Sequence, residues 1–203
     1  MWPVITVKEG GVERHYDMPS RLLKDRIVLC AEEINPETSA SIVAQLLALE
    51  SEDDTKPVTM YINSPGGSVH DGFAIYDVMQ NLRCPVVTIC VGMAASMGAF
   101  LLAAGAKGSR YAMPNSTVMI HQPLGGVQGQ ASDIQIRAKH IDHLKRSLYN
   151  IIAKATGRDY TEIERVCDRD TFFSPLKLRP SGLSTILSAR LRHSRGLAGS
   201  GGT

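Results

Sequence analysis

The sequence lacks an excess of charge of either sign, with 22 Lys and Arg residues against 20 Asp and Glu and a formal net charge of +2. This balance gives no electrostatic argument for a nucleic-acid-binding protein or for attachment to an anionic membrane surface. Disorder of the whole chain is excluded, because 43% of the residues are hydrophobic and 21% are charged. A chain of 203 residues can form one domain with a substantial core.

Signals for disulfides, zinc, nucleotides and export are also missing. The cysteines Cys30, Cys84, Cys90 and Cys167 show no C-x-x-C spacing, which favours buried thiols in a reducing compartment. No P-loop lysine or G-x-G-x-x-G motif is present, which argues against a nucleotide-binding loop. The first residues lack a basic segment followed by an apolar one, so we predict no secretory signal and a cytoplasmic location.

The longest charge-free stretch, residues 84–106, has enough length to cross a bilayer. It begins with a largely β-branched run at 85–89, is interrupted by Gly92 and Ser96, and ends in an apolar run at 99–104. This pattern is typical of a buried strand, a tight turn and a buried helix. We therefore predict no membrane span, and a turn with polar residues where an active site could lie.

Predicted strands and helices alternate along the chain. The strands are predicted at 26–30, 58–62, 86–91, 111–113 and 118–120, and the helices at about 35–50, 69–82, from 97, 132–155 and 160–167. This order is typical of βαβ units and predicts an α/β fold with a mostly parallel sheet.

Four short segments contain residues that could carry chemistry. Ser96 lies among small residues at a strand-to-helix turn, which would expose its hydroxyl, and His121 follows an apolar strand, where it could act as a general base. The glycines of NSPGG (63–67) could turn a backbone N–H toward a ligand, and DRD (168–170) could orient a histidine. Taken singly, each has a plainer interpretation: a packing serine, a structural histidine, a β-turn and a solvated charge cluster.

His140 and His143 are three residues apart on the long predicted helix. This spacing could hold a metal, but the sequence offers no evident third ligand. We interpret both as solvated surface residues.

Together the motifs resemble one family. The segments YINSPGGSVHDGFAIYD (61–77) and GMAASMGAFLLAAGAKGSRYAMPNSTVMIHQPLGG (92–126), with DRD (168–170) and the opening SRLLKDRIV (20–28), are similar to the proteolytic subunits of the Clp protease family, ClpP. The similarity runs from about Val4 to Pro175.

The resemblance implies a role for each matching residue. Ser96 would be the nucleophile, His121 the general base and then acid, and Asp170 the carboxylate that holds the imidazole. The backbone N–H groups of Gly67 and Met97 would form the oxyanion hole. The reaction would be peptide hydrolysis through an acyl-enzyme, with no metal and no cofactor in this subunit.

The resemblance also implies an architecture, an α/β ClpP/crotonase-like ββα spiral with a protruding handle. The handle would consist of a glycine-rich strand at 122–130 and the helix from Ser132. The chain would divide into an N-terminal axial-loop segment (1–19), an α/β head (20–121), a handle (122–156), the C-terminal part of the head (157–175) and a divergent, disordered basic tail (176–203).

Partners follow from the same resemblance. Seven subunits would form a ring, and two rings would stack as a tetradecamer that encloses the active sites. An AAA+ Clp ATPase of the ClpX, ClpA or ClpC type would use ATP to feed in unfolded proteins. Asp168 and Arg169 match positions that link ring contacts to the catalytic residues, and Tyr61 matches the ATPase docking cleft. No nucleic acid or membrane is expected.

The segment after Pro175 departs from the family pattern, since Pro180 would interrupt the expected helix. Back-translation of 176–185 in a shifted frame gives Glu-Ala-Glu-Ala-Phe-Gly-Leu-Val-Asp, the segment that the family has there. Gly182 and Leu183 stand in register with the Gly-Leu pair of the family, which would also fit a diverged helix. We propose a shifted reading frame after Pro175, from a mutation or a sequencing error, and predict that the altered tail weakens folding or ring assembly and leaves the chemistry unchanged. Two alternatives to a working protease remain: a non-catalytic or assembly-defective ring subunit, and a crotonase-type acyl-CoA enzyme, for which the Ser, His and Asp set would have no purpose.

Overall fold

The computed structural model describes residues 2–126 and 128–174. Its elements in chain order are β1 (Val4–Glu9), β2 (Val12–Asp17), α1 (Met18–Lys24), β3 (Ile27–Cys30), α2 (Pro36–Glu52), β4 (Val58–Ser64), α3 (Val69–Asn81), β5 (Val86–Ala95), α4 (Met97–Ala103), β6 (Arg110–Ala112), β7 (Thr117–Ile120), α5 (Ala131–Thr156), α6 (Tyr160–Cys167) and β8 (Thr171–Phe173). The alternation of strands and helices confirms the predicted α/β class.

One six-stranded sheet organises the molecule, in the order β3-β4-β5-β7-β8, with β6 also paired to β5. All pairs are parallel except β7 with β8, which run antiparallel. The long strand β5 pairs with β6 through residues 88–90 and with β7 through residues 93–95. Parallel neighbours end at the same edge of a sheet, so the carboxyl ends of β4, β5 and β7 lie close together there.

The core lies between this sheet and the helices packed on it. Along β4, Val58, Met60, Ile62 and Ser64 are buried, while the residues between them are exposed or half-buried. Such alternation follows from the two-residue period of a strand. Helix α4 is buried along its whole length, which matches its charge-free sequence. No helix within 2–126 and 128–174 is both long enough and apolar enough to cross a membrane.

The structure adds an N-terminal hairpin that the sequence reading did not predict. Strands β1 and β2 pair antiparallel in register from Val4 with Asp17 to Glu9 with Val12. Gly10 and Gly11 form the turn, both with positive φ, as a two-residue turn of type I′ requires. The hairpin lies in a separate two-stranded sheet, within the segment expected to form the axial loop.

One strand boundary and one expected strand differ most from the prediction. Strand β5 continues to Ala95 instead of ending near 91, because Gly92 takes a φ of +75° and the strand then pairs with β7. The strand expected in the handle is not formed by residues 122–126 and 128–130, which have no partner strand within the described chain. The handle helix is present as α5. The predicted tail (176–203) lies outside the described residues.

Candidate active site

Ser96 lies at the junction of β5 and α4 in a strained backbone conformation, with φ 52° and ψ −119°. Two backbone hydrogen bonds hold it there: its N–H donates to Met119 O at 2.9 Å, and its carbonyl accepts from Phe100 N at 3.0 Å. A positive φ at a non-glycine residue costs about 1–3 kcal/mol and persists only where the surroundings enforce it. The sharp turn presents the hydroxyl at the edge of the sheet, as the sequence predicted.

His121 follows β7 and lies between Ser96 and Asp170. Its Nε2 is 2.8 Å from Ser96 Oγ, and its Nδ1 is 3.1 Å from Asp170 Oδ1. The strand register explains this meeting: Ile120 pairs with Thr171 in the antiparallel β7–β8 ladder, so His121 and Asp170 are the next pair. The His121 side chain is 14% exposed and that of Asp170 is 62% exposed, so solvent reaches this end of the series.

The loop Pro65-Gly66-Gly67 approaches the Ser96 turn so closely that no side chain would fit. A Cβ at Gly66, whose φ is +97°, would lie 2.7 Å from Ser96 Cβ. The loop is fixed to Ile34, whose N–H donates to Gly66 O at 2.8 Å and whose carbonyl accepts from Ser68 N at 2.8 Å. Within residues 2–126 and 128–174, the N–H groups of Gly67 and Met97 have no hydrogen-bond acceptor.

A small apolar cavity of about 30 Å³ lies beside the Ser96–His121 pair. Its walls are formed by Val69, Met97, Phe100, Ile120, Pro123, Leu148, Tyr149 and Ile152. The Tyr149 hydroxyl is buried without a hydrogen-bond partner in the described chain, and burial raises the pKa of that phenol. The cavity is lined mostly by apolar side chains and is too small to hold a large substrate side chain.

Three other residues predicted to be functional do not contact the hydrogen-bonded side chains of Ser96, His121 and Asp170. They are Asp168, Arg169 and Tyr61. Arg169 is 91% exposed, and its Nε lies 3.7 Å from Asp168 Oδ2, while the Asp168 carbonyl accepts from Gln122 Nε2 at 2.9 Å. Tyr61 is half-buried on β4, opposite Leu29 of β3, on the strand face that points away from the buried residues Met60 and Ile62.

Sequence reasoning missed two residues that shape this site. Asn63 Oδ1 accepts from Met93 N at 3.1 Å and thereby ties the end of β4 to the last part of β5. Tyr149 forms part of the cavity wall from α5. The asparagine in NSPGG was a detectable signal, because asparagine side chains hydrogen-bond backbone groups near turns. Tyr149 had no such signal, since it reads as one apolar position of a long helix.

Two of the buried cysteines have thiols that stay protonated. Burial raises the pKa of Cys30 and of Cys167 to about 12, which keeps both thiols protonated at neutral pH. Within the part of the chain that the structure describes, no group of three or more His, Cys, Asp or Glu residues is placed to hold a metal ion.

At these strand ends a hydroxyl, an imidazole and a carboxylate lie in hydrogen-bond contact, which is the arrangement of a nucleophile, a base and an orienting group. The family model described as Clp protease matches residues 10–186, so the chain belongs to the Clp protease family. This confirms the family predicted from the motifs and identifies the chain in general terms as a proteolytic subunit. The match continues to residue 186, past Pro175, where the resemblance of the motifs ends.

Proposed function

We propose that this protein is a serine endopeptidase in which Ser96, His121 and Asp170 carry out peptide hydrolysis. The observation that carries the proposal is the continuous series of two hydrogen-bond contacts, 2.8 Å from Ser96 Oγ to His121 Nε2 and 3.1 Å from His121 Nδ1 to Asp170 Oδ1. A nucleophile within reach of a base that is itself oriented by a carboxylate is the arrangement that activates serine.

In the proposed mechanism, Ser96 Oγ attacks the carbonyl carbon of a peptide bond while its proton passes to His121 Nε2. The resulting oxyanion accepts hydrogen bonds from the N–H groups of Gly67 and Met97, which have no acceptor within the described residues. His121 then gives the proton to the leaving amine, and the C–N bond breaks to leave an acyl-enzyme. Water, deprotonated by His121 Nε2, attacks the ester carbonyl carbon. The bond from that carbon to Ser96 Oγ then breaks, His121 returns the proton to Oγ, and the product leaves with a new carboxyl terminus.

Asp170 orients His121 in this mechanism. With Nδ1–H donating to the carboxylate, Nε2 is left as the acceptor for the Ser96 hydroxyl proton. The carboxylate also stabilises the imidazolium that forms during attack.

Labelling of the full chain with a fluorophosphonate probe, followed by mass spectrometry, tests the proposal. We expect one adduct per chain on Ser96, lost in Ser96→Ala and retained in Ser41→Ala, which removes an exposed serine hydroxyl from helix α2. Equal labelling of wild type and Ser96→Ala would contradict the assignment. The probe reports on the serine nucleophile alone, so it needs neither an ATPase nor a protein substrate.

We also propose that the chain works as two stacked heptameric rings fed with unfolded protein by an AAA+ Clp ATPase. Support comes from family membership, since Clp proteases generally self-assemble and work with Clp ATPases. The exposed Asp168 and Arg169 are available for contacts between subunits, and Tyr61 beside Leu29 offers a partly apolar surface for the ATPase. A cytoplasmic location is supported by four buried cysteines with free thiols.

Size-exclusion chromatography with light scattering separates this proposal from a non-catalytic or assembly-defective subunit. A tetradecamer that labels on Ser96 supports the working protease. A small species without labelling favours the defective subunit, whose altered segment after Pro175 lies outside the described residues. Loss of the tetradecamer in Arg169→Ala, with the fold preserved, would support the assembly role of Arg169.

A further inference from the structure

His70 and His140 meet across two elements that are far apart in sequence. His70 lies in the first turn of α3 and His140 on α5, and their Nε2 atoms are 3.4 Å apart. The ring centroids are 5.5 Å apart with an interplanar angle of 20°. Because the nitrogens are closer together than the ring centres, the two Nε2 corners face one another. The i, i+3 pair His140 and His143 is therefore not the pair that the fold brings together.

The separation of the two nitrogens suits a shared metal ion. Zinc–imidazole bonds are about 2.0–2.1 Å long, and two such bonds at a tetrahedral angle place the nitrogens about 3.3–3.4 Å apart. The observed 3.4 Å therefore needs little side-chain movement to bind an ion. Unprotonated imidazole is a preferred ligand of zinc, copper and nickel ions.

We propose that His70 and His140 form a binding site for one divalent transition-metal ion of the zinc class, with water molecules completing the coordination. Both residues are exposed, so an ion can reach them from solvent without opening the fold. The four cysteines are buried and do not compete in the folded state.

The site would fasten the handle helix to the head. Residues 131–147 of α5 include no buried side chain, and the buried residues of this helix begin at Leu148. His70 is three residues from Gly67 and two from Ser68, the N-cap of α3. A metal bridge would therefore link the exposed half of α5 to the helix that begins directly after the Gly-Gly loop, independently of the catalytic roles proposed above.

Isothermal titration of the full chain with ZnCl₂ tests the proposal. We expect one ion per chain, and at least about a tenfold weaker affinity in His70→Ala and in His140→Ala, since the loss of even an outer partner of a metal ligand costs about 10–100-fold. His143→Ala is the matched control. It removes an exposed histidine from α5, one turn away from His140, and leaves both His70 and His140 in place. Hydrogen exchange should show slower amide exchange over 131–147 on zinc addition in wild type but not in His140→Ala.

Three results would overturn the site. Absence of zinc binding would make the contact an imidazole–imidazole hydrogen bond only. Binding that survives both His70→Ala and His140→Ala would place the ion elsewhere. Loss of binding in His143→Ala would assign the ion to the i, i+3 pair on α5. Circular dichroism and Ser96 labelling of each variant verify that it is folded.

Discussion

Replacing Gly66 with alanine should damage both stability and the Ser96 turn. A methyl group there would lie 2.7 Å from Ser96 Cβ, 2.8 Å from Ala95 O and 3.0 Å from Met97 N. Two of these three atoms belong to the backbone, so the clash cannot be relieved by rotating a side chain. The methyl group would therefore push the Gly66 loop and the Ser96 turn apart.

The cost has two parts. Alanine at the positive φ of Gly66, +97°, costs about 1–2 kcal/mol of backbone strain. Overpacking against a rigid neighbour adds about 1–3 kcal/mol. Gly108 provides a matched control, because its φ is +82° but nothing lies within 4 Å of its Cβ position. Gly108→Ala therefore carries only the first part, and the difference between the two variants isolates the close approach to Ser96.

Thermal unfolding at equal protomer concentration, together with the rate of fluorophosphonate labelling, measures both effects. Each kcal/mol corresponds to about 2–4 °C in a chain of this size, and the concentration must match because assembly shifts the apparent Tm. We expect Gly66→Ala to unfold about 2–12 °C below Gly108→Ala and to label about 100-fold more slowly, since a displacement near 1 Å costs about that much. A Gly66→Ala protein with the Tm of Gly108→Ala and wild-type labelling would refute the reasoning.

Three further predictions concern the side chains around the site and in the core. Asp170→Asn should lower peptidase turnover by a factor on the order of 10⁴, because the carboxylate no longer orients the imidazole. The Tm should stay near the wild-type value, because the carboxylate is exposed. Turnover within tenfold of wild type would remove Asp170 from the mechanism. Tyr149→Phe should leave the free energy of unfolding unchanged or raise it by up to about 1 kcal/mol, because the hydroxyl that it removes has no partner within the described chain. A decrease in the free energy of unfolding above about 1 kcal/mol would indicate that the hydroxyl does form a hydrogen bond. Cys30 and Cys167 should resist alkylation by iodoacetamide at pH 8 in the folded chain and react once the chain is unfolded. Burial raises the pKa of each thiol to about 12, and only the thiolate reacts. Equal alkylation rates in the folded and unfolded chain, measured by peptide mass spectrometry, would contradict their burial.

The regular helices could be predicted closely from sequence periodicity. Helix α3 was expected at 69–82 and spans Val69–Asn81, and α6 was expected at 160–167 and spans Tyr160–Cys167. Helix boundaries are local, because the caps and the apolar spacing lie within the segment itself. Strand β8 is only three residues long and is defined by its pairing with β7, so the local sequence does not predict it.

Part of the site followed from topology and part did not. Ser96 was predicted at a strand-to-helix turn and His121 at the end of a strand. Since β5 and β7 are parallel neighbours, their ends meet at one edge of the sheet. The DRD segment offers two aspartates, and spacing alone does not choose between them. The β7–β8 register brings Asp170 to His121, while the Asp168 carboxylate lies near Arg169.

The meeting of His70 with His140 could not be foreseen from spacing. The sequence drew attention to His140 and His143 because they share a helix, whereas the structural partner is 70 positions away. Contacts between elements depend on how helices cross, and one sequence without the fold does not contain that information.

Because β7 and β8 pair over only three residues, Asp170 could be separated from Ser96 and His121 by cutting the chain. Ser96 and His121 directly follow the inner strands β5 and β7, while Asp170 directly precedes β8, a three-residue strand at the edge of the sheet. A polypeptide cut before Asp168 would keep the Ser96–His121 contact and lose the carboxylate that faces Nδ1. A separate peptide able to pair with β7 in the same register could restore that carboxylate in trans, which would make peptidase activity a reporter of fragment complementation.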